Sequence, residues 1–264
     1  MKNLPMCTKR LIVPILTAML LCGIAAADTI VVTGVDTSRG EYNVWINENG
    51  QDVNAYYAGV ILIQLADSGG IYNRDTLCVQ LFTDINISQT YATSIVFPNE
   101  IGGGPLDQTS WLISNALIPG QNGGSTPSSL PNADWVTTAA QGAGLQLAIW
   151  DLVEDNGDGF SAGSVQQGSA AHPTDPAVLG WAEYYEAQAL LQGHSNTTAF
   201  VYINVSLGNG NPAQMLEGPA FASDGGPQAQ PEPATFVLAG TALVGLGLAR
   251  RRKLVKLGNG SANL

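Results

Sequence analysis

Two side chains in this 264-residue sequence combine into reactive chemistry: Cys78, in "TLCVQLF", and Gln146, in "LQLAIW". A thiolate is a strong nucleophile toward carbonyl carbon. Pressed against a glutamine carboxamide in a dry pocket, its sulfur displaces ammonia and leaves a Cys–Gln thioester. Burial then shields that bond from water until an amine or hydroxyl reaches it. Each residue also has a plainer use, Cys78 as a small buried hydrophobe and Gln146 as a hydrogen-bonded core amide. The cysteine count sharpens the choice. Cys7 and Cys22 fall in an N-terminal leader, so the exported chain keeps Cys78 alone. A single cysteine in an oxidising compartment makes no internal disulfide, and metal sites built on cysteine clusters are excluded with it.

A strand and a helix must hold this pair. β-Branched and aromatic runs separated by Gly, Asp, Asn and Ser predict strands over Thr29–Val35, Tyr42–Glu48, Ala58–Ala66, Thr76–Phe82 and Phe200–Leu207, with Cys78 in the fourth. Helical spacing covers Gln108–Leu117, Asp134–Glu154 and Asp175–Gly193. The second of these carries Gln146 and sets Leu145, Ile149, Leu152 and Val153 on one face. The third is the best marked, with Asp175 as N-cap, Pro176 in the first turn and Gly193 as a stop. Strands first and last with helices between them predict an α+β fold, a β-sandwich or barrel-like domain with a helical insertion, plus a single C-terminal hydrophobic helix. Gly120–Ser129 and Ala222–Gln230 read as linkers.

Both ends read as addresses. Lys2, Lys9 and Arg10 precede an apolar run from Leu11 to about Ala25, and Ala25-Ala26-Ala27 offers an A-x-A cleavage site before Asp28. At the other end, the apolar stretch Ala234–Ala249 stands at the short limit of the roughly 17–25 residues that span a bilayer. Arg250, Arg251, Arg252 and Lys253 follow as a positive stop. The expected organisation is a signal peptide at 1–27, a thioester-like domain at 28–221, a linker at 222–230, a sorting or transmembrane segment at 231–253 and a basic-to-polar tail at 254–264. Between leader and tail the only basic residues are Arg39 and Arg74, and no lysine occurs, whereas all of the 21 acidic residues except Glu232 lie there. Nucleic acid is excluded as a partner, because phosphate binding needs clustered cations. An acidic surface suits a soluble extracellular protein. The missing lysines also fit the thioester, which a neighbouring amine would consume in cis.

Pro231-Glu232-Pro233, a short glycine-rich apolar stretch and an arginine cluster together resemble the PEP-CTERM sorting signal of Gram-negative bacteria. The resemblance implies an exosortase-type processing enzyme as partner, transient membrane anchoring through the C-terminal helix, and delivery to the cell surface or extracellular matrix. A second resemblance covers Tyr56–Gly163. Leu145-Gln146-Leu147-Ala148-Ile149-Trp150, after the small-residue stretch Ala139–Gly144, is similar to the TQxAIW signature of Cys–Gln thioester domains in bacterial surface proteins. "YYAGVILI" before Cys78, "SWLISNA" at Ser110–Ala116 and a weaker echo in "NPAQMLEG" at Asn211–Gly218 extend it. Leu145 stands where the signature has Thr, and Gln80 where relatives often have Asp. The likeness implies that Cys78 is the acyl-bearing thiol and leaving group and Gln146 the acyl donor, in a reaction that happens once per molecule.

Other motifs yield less. "EDNGDGFSAG", Glu154–Gly163, resembles a calcium loop, but an EF-hand register with Gly159 sixth puts Val165 where a bidentate glutamate belongs, so the segment reads as a polar turn. No metal and no cofactor is expected. Trp111, Trp150 and Trp181 read as core anchors. His172 and His194 lack a nearby nucleophile pattern, so a hydrolase triad draws little support, and no motif selects a catalytic carboxylate pair. The expected function is therefore that of a non-enzymatic surface or matrix protein, which attaches covalently to an amine or hydroxyl of an extracellular protein or polysaccharide. The alternative is a non-covalent structural or carbohydrate-binding matrix protein with an inert cysteine.

Overall fold

The computed structural model describes residues 28–67, 70–81, 83–101, 103–117, 128–191, 199–207 and 210–220. The leader, the 222–230 linker, the 231–253 segment with its expected helix, the 254–264 tail, His194 and most of the Gly120–Ser129 loop lie outside them. Among the described residues no helix is long and apolar enough to cross a membrane.

The strands are β1 (Asp28–Glu48), β2 (Gln51–Asp67), β3 (Gly70–Cys78), β4 (Thr90–Val96), β5 (Val165–Gln167), β6 (Ala199–Ser206) and β7 (Leu216–Pro219). The helices are α1 (Pro105–Ala116), α2 (Ala139–Asp155) and α3 (Pro176–Leu191), all inserted between β4 and β6. Every strand pairing is antiparallel. The order is β2-β3-β7-β6-β4-β1-β5, and β1 also pairs with β2. That extra pairing closes the first six strands of the order into a barrel, with β5 attached outside it to the far end of β1. The strand-rich domain with inserted helices is as expected, its sheet antiparallel throughout.

Closure depends on one long hairpin. The two runs Thr29–Val35 and Tyr42–Glu48 form a single strand of 21 residues, which turns into β2 through Asn49-Gly50. Their φ values of 48° and 87° are the paired left-handed conformations of a tight hairpin turn. Midway, the register shifts between Val35 and Gly40. There Gly40 and Gly59 cross so closely that a Cβ on either would overlap the other strand. The lower half of the hairpin supplies barrel staves, and its far end, Ile46 to Glu48, pairs with β5.

Two apolar clusters share α2. Leu147 and Trp150 join Ile30, Ile46, Phe200, Tyr202 and Cys78, while Leu145, Ile149 and Leu152 join Leu77, Leu112, Ile113 and Tyr185. Residues 141–152 of α2 are therefore buried on every side, as expected of a helix that is apolar all round. Any polar side chain in that stretch must find its hydrogen bonds inside the protein.

Candidate functional site

The strand bearing Cys78 begins earlier and ends sooner than its sequence suggests. β3 pairs with β2 from Asp67↔Gly70 to Ile61↔Thr76, then with β7 at Leu77↔Glu217 and Cys78↔Leu216. Residues 79–81 do not continue the strand. Val79 N–H donates to the Met215 carbonyl, and hydrogen-bonding direction alternates along an antiparallel strand. Cys78 thus turns its own N–H and C=O away from β7, toward the edge that β2 has left.

Gln146 occupies that edge. Its Oε1 accepts from Cys78 N–H at 2.9 Å, and its Nε2 donates to Cys78 C=O at 2.7 Å. The side-chain amide acts as one peptide unit of an absent neighbouring strand. Its orientation is dictated, because the N–H needs an acceptor and the C=O a donor. Gln146 is 1% exposed and Cys78 6%, so both hydrogen bonds form out of reach of bulk water. The cysteine is free, and burial pushes its thiol well above the usual range.

The helix reaches this depth because its first half is small. A Cβ on Gly142 would overlap the Arg39 carbonyl oxygen of β1, and one on Gly144 would lie 2.5 Å from Trp181 Cβ of α3. The glycines let α2 wedge between β1 and α3, and Gln146 follows within one turn. Its start is fixed by a capping box: Gln141 N–H donates to Thr138 Oγ1 at 3.3 Å, and Thr138 N–H donates to Gln141 Oε1 at 3.0 Å.

Around the pair the packing is tied down by buried polar groups. Arg39 forms ion pairs with Asp36 at 2.7 Å and with Asp75 of β3 at 2.6 Å. Tyr57 Oη lies 2.8 Å from the Asp36 carbonyl and 3.1 Å from that of Val60, donating to one at a time. Gln80 accepts Met215 N–H on Oε1 at 3.1 Å and holds Gln214 Nε2 with its carbonyl at 2.6 Å. The "NPAQMLEG" echo is therefore the segment that seats β7 beside Cys78. Leu145 packs fully buried among apolar neighbours.

One residue near the site escaped sequence reasoning. Glu217, opposite Leu77 on β7, is fully buried and lies 2.7 Å from Thr109 Oγ1 of α1. Burial, reinforced by Asp107, raises its carboxyl to about 8, so it is protonated at neutral pH. A lone acid in "MLEGP" gives no sign of this, since the sequence does not reveal which strand face meets α1.

The remaining candidates separate cleanly. Trp111 and Trp150 are buried core residues, and Trp181 is packed at the edge of the core. His172 stacks on Trp45 with centroids 4.1 Å apart and lies 3.2 Å from Asp52. Ser169 Oγ donates to that same aspartate at 2.5 Å. The carboxylate sits between serine and histidine, so the histidine has no serine to deprotonate and the cluster lacks triad geometry. Val165, the residue that spoils the EF-hand register, is buried in β5 opposite Glu48.

Within residues 28–220 the class is an antiparallel barrel with a buried Cys–Gln contact delivered by an inserted helix. For the chain as a whole, the PEP-CTERM protein-sorting motif matches residues 231–253, the same segment that the composition of the C-terminus singles out. That motif marks an exported protein, sorted by exosortase and destined for the cell surface or the extracellular space. No curated protein and no solved structure matches the chain.

Proposed function

We propose that this exported protein attaches itself covalently, once per molecule, to a partner amine or hydroxyl through a Cys78–Gln146 thioester. The observation that carries the reading is the two-point hold of the Gln146 carboxamide on the backbone of the residue that bears the thiol. In the forming step, Cys78 Sγ attacks the Gln146 side-chain carbonyl carbon, and Cys78 N–H stabilises the negative charge that develops on Oε1. The C–Nε2 bond breaks, the thiol proton passes to the leaving nitrogen, and ammonia departs. Because burial opposes a free thiolate, proton transfer to that nitrogen accompanies attack rather than preceding it. In the attachment step an amine or hydroxyl adds to the same carbon, the C–S bond breaks, and Cys78 regains its proton as a thiol. A lysine of another protein or a sugar hydroxyl at the cell surface supplies the nucleophile. Nothing returns the amide, so the protein is a single-use linker and not a turnover enzyme. The lack of lysine between residues 28 and 230 removes competing lysine amines from that section.

A second reading is favoured by the same hydrogen bonds seen differently. Both polar ends of the Gln146 amide are satisfied, which suits a permanent latch in a non-covalent structural or carbohydrate-binding matrix protein. Intact mass of the purified chain decides between them. The covalent reading expects a mass short of the sequence by one ammonia and, after methylamine, addition of the amine with exposure of one thiol. It expects neither in Cys78→Ala. Full mass and a free thiol in freshly folded wild type would leave the latch as the function of the pair.

A further inference from the structure

At the far end of α2 from its capping box, Asp151, Asp155 and Asp158 each bring a carboxylate oxygen within 4.8 Å of the others. Asp151 has no solvent exposure. Its Oδ2 accepts Gly159 N–H at 3.3 Å, while its Oδ1 is buried without a hydrogen-bond donor. Leaving an ionised oxygen in that condition is costly unless a cation meets it. Asp155 is held in place by Ser164 N–H and Val165 N–H on Oδ2, at 2.8 and 2.7 Å. Asp158 is carried back toward the helix by a turn through Asn156 and Gly157, both at positive φ. A Cβ on Gly163 would lie 2.5 Å from Asp158 Oδ1 and 2.8 Å from Asp155 Oδ2, so the loop closes tightly over these oxygens. A fourth carboxyl, Glu186 of α3, is buried against Asp151; burial raises both, reinforced at Asp151 by Asp158 and Asp155 and at Glu186 by Asp151, while a hydrogen bond between the two favours the proton on Glu186. No basic side chain of the described residues compensates this charge. Arg39 is engaged by Asp36 and Asp75, and Arg74 lies over the Tyr72 ring and donates to the Asn73 carbonyl.

We infer that Asp151, Asp155 and Asp158 form a binding site for a divalent cation of the calcium type, with Glu186 at its rim. The donors are all hard oxygens, which selects against zinc and copper. Calcium accepts irregular sets of six to eight oxygens completed by water, whereas magnesium demands a near-ideal octahedron and gives up water reluctantly. A cleft of about 270 Å³ bordered by Gly159, Phe160, Glu183 and Glu186 brings solvent to this side. An exported protein meets calcium at concentrations that suit the weak sites of extracellular modules, with Kd of roughly 10⁻⁴–10⁻³ M. The bound ion ties the end of α2 to the loop that leads into β5 and to α3. The site is independent of whether the thioester forms.

The test is calorimetric titration of the chelator-treated full-length chain with CaCl₂, and with MgCl₂ in parallel, together with thermal unfolding in each salt. Asp158→Asn is the informative variant, because Asp158 is exposed and its replacement spares the core. Asp84→Asn, at an exposed site elsewhere, controls for general charge loss. The expected result is one calcium per chain, a rise in Tm of about 3 °C at saturating calcium, a loss of about tenfold or more in affinity in Asp158→Asn, and no change in Asp84→Asn. Absence of both heat and Tm shift in wild type would overturn the site and leave a proton shared between Asp151 and Glu186 as the compensation. A calcium response that Asp158→Asn leaves intact would equally overturn it, as diffuse binding to an acidic surface.

Discussion

Replacing Cys78 with alanine separates the covalent and the latch readings by the size of the stability loss. The alanine main chain still offers the N–H and C=O that Gln146 grips, so the polar contact survives. What is lost in either case is the packing of one sulfur atom, about 1 kcal/mol. If the thioester is present, the substitution also removes a cross-link between positions 68 residues apart, whose closure of the unfolded chain contributes about 4 kcal/mol. The expected losses are thus about 5 kcal/mol for a cross-linked protein and about 1 kcal/mol for a latch. Equilibrium urea unfolding at neutral pH, without added amines, measures the difference. The urea dependence should also steepen in the variant when the link was present, because an unlinked denatured chain exposes more surface. Intact mass of the same preparations supplies the independent half of the comparison. A wild type short by one ammonia whose alanine variant loses only about 1 kcal/mol would refute the loop-closure argument. A wild type of full mass whose variant loses about 5 kcal/mol would refute it from the other side.

Two further outcomes follow from the packing around the pair. Glu217 stays protonated to about pH 8 in the folded protein but ionises near 4.5 when unfolded. Between those values the folded state holds a proton that the unfolded state has released, so stability falls as pH rises from about 4.5 to about 8 and then levels off, by a few kcal/mol in total. Glu217→Gln should flatten that decline in a series of thermal melts, and an unchanged profile would show that another group causes it. Gly142→Ala drives a methyl group into the Arg39 carbonyl and should cost about 2–3 kcal/mol. Because Gln146 rides the same helix one turn on, exchange of the Cys78 amide hydrogen should quicken as well, beyond what global destabilisation explains.

The contact between Cys78 and Gln146 was legible because a lone exported cysteine and a glutamine inside an apolar helix are each anomalous. The helix was legible from its residue pattern, whereas of the strand only Thr76–Cys78 was. Several features were not. Gly40 looks like a strand breaker, yet it is where β1 crosses β2 at Gly59, so β1 reads as two strands although it is one. β7 is "LEGP", with a glycine, a proline and no β-branched residue, and only its neighbours β3 and β6 make it a strand. The β-branched content of Thr90–Val96 does mark a strand, and it is missing from the segments named above; without it the barrel cannot be seen to close. The acidic turn was measured against an EF-hand spacing within the loop. Its innermost carboxylate, Asp151, belongs to the preceding helix, and the opposing Glu186 comes from a helix that no local motif connects to it.

The pairing of Leu77 and Cys78 with Glu217 and Leu216 has a bearing on the order of events during export. Contacts between distant parts of a chain form late, and the strand that completes the wall beside the thiol is the last of the barrel in the sequence. Until it arrives, Cys78 is an ordinary accessible thiol in an oxidising space. The sequence between residues 28 and 230 contains no second cysteine, so this part of the unfinished chain has no internal partner with which to form a wrong bond. Scarcity of cysteine therefore protects the nascent molecule during the interval in which its fold does not yet do so.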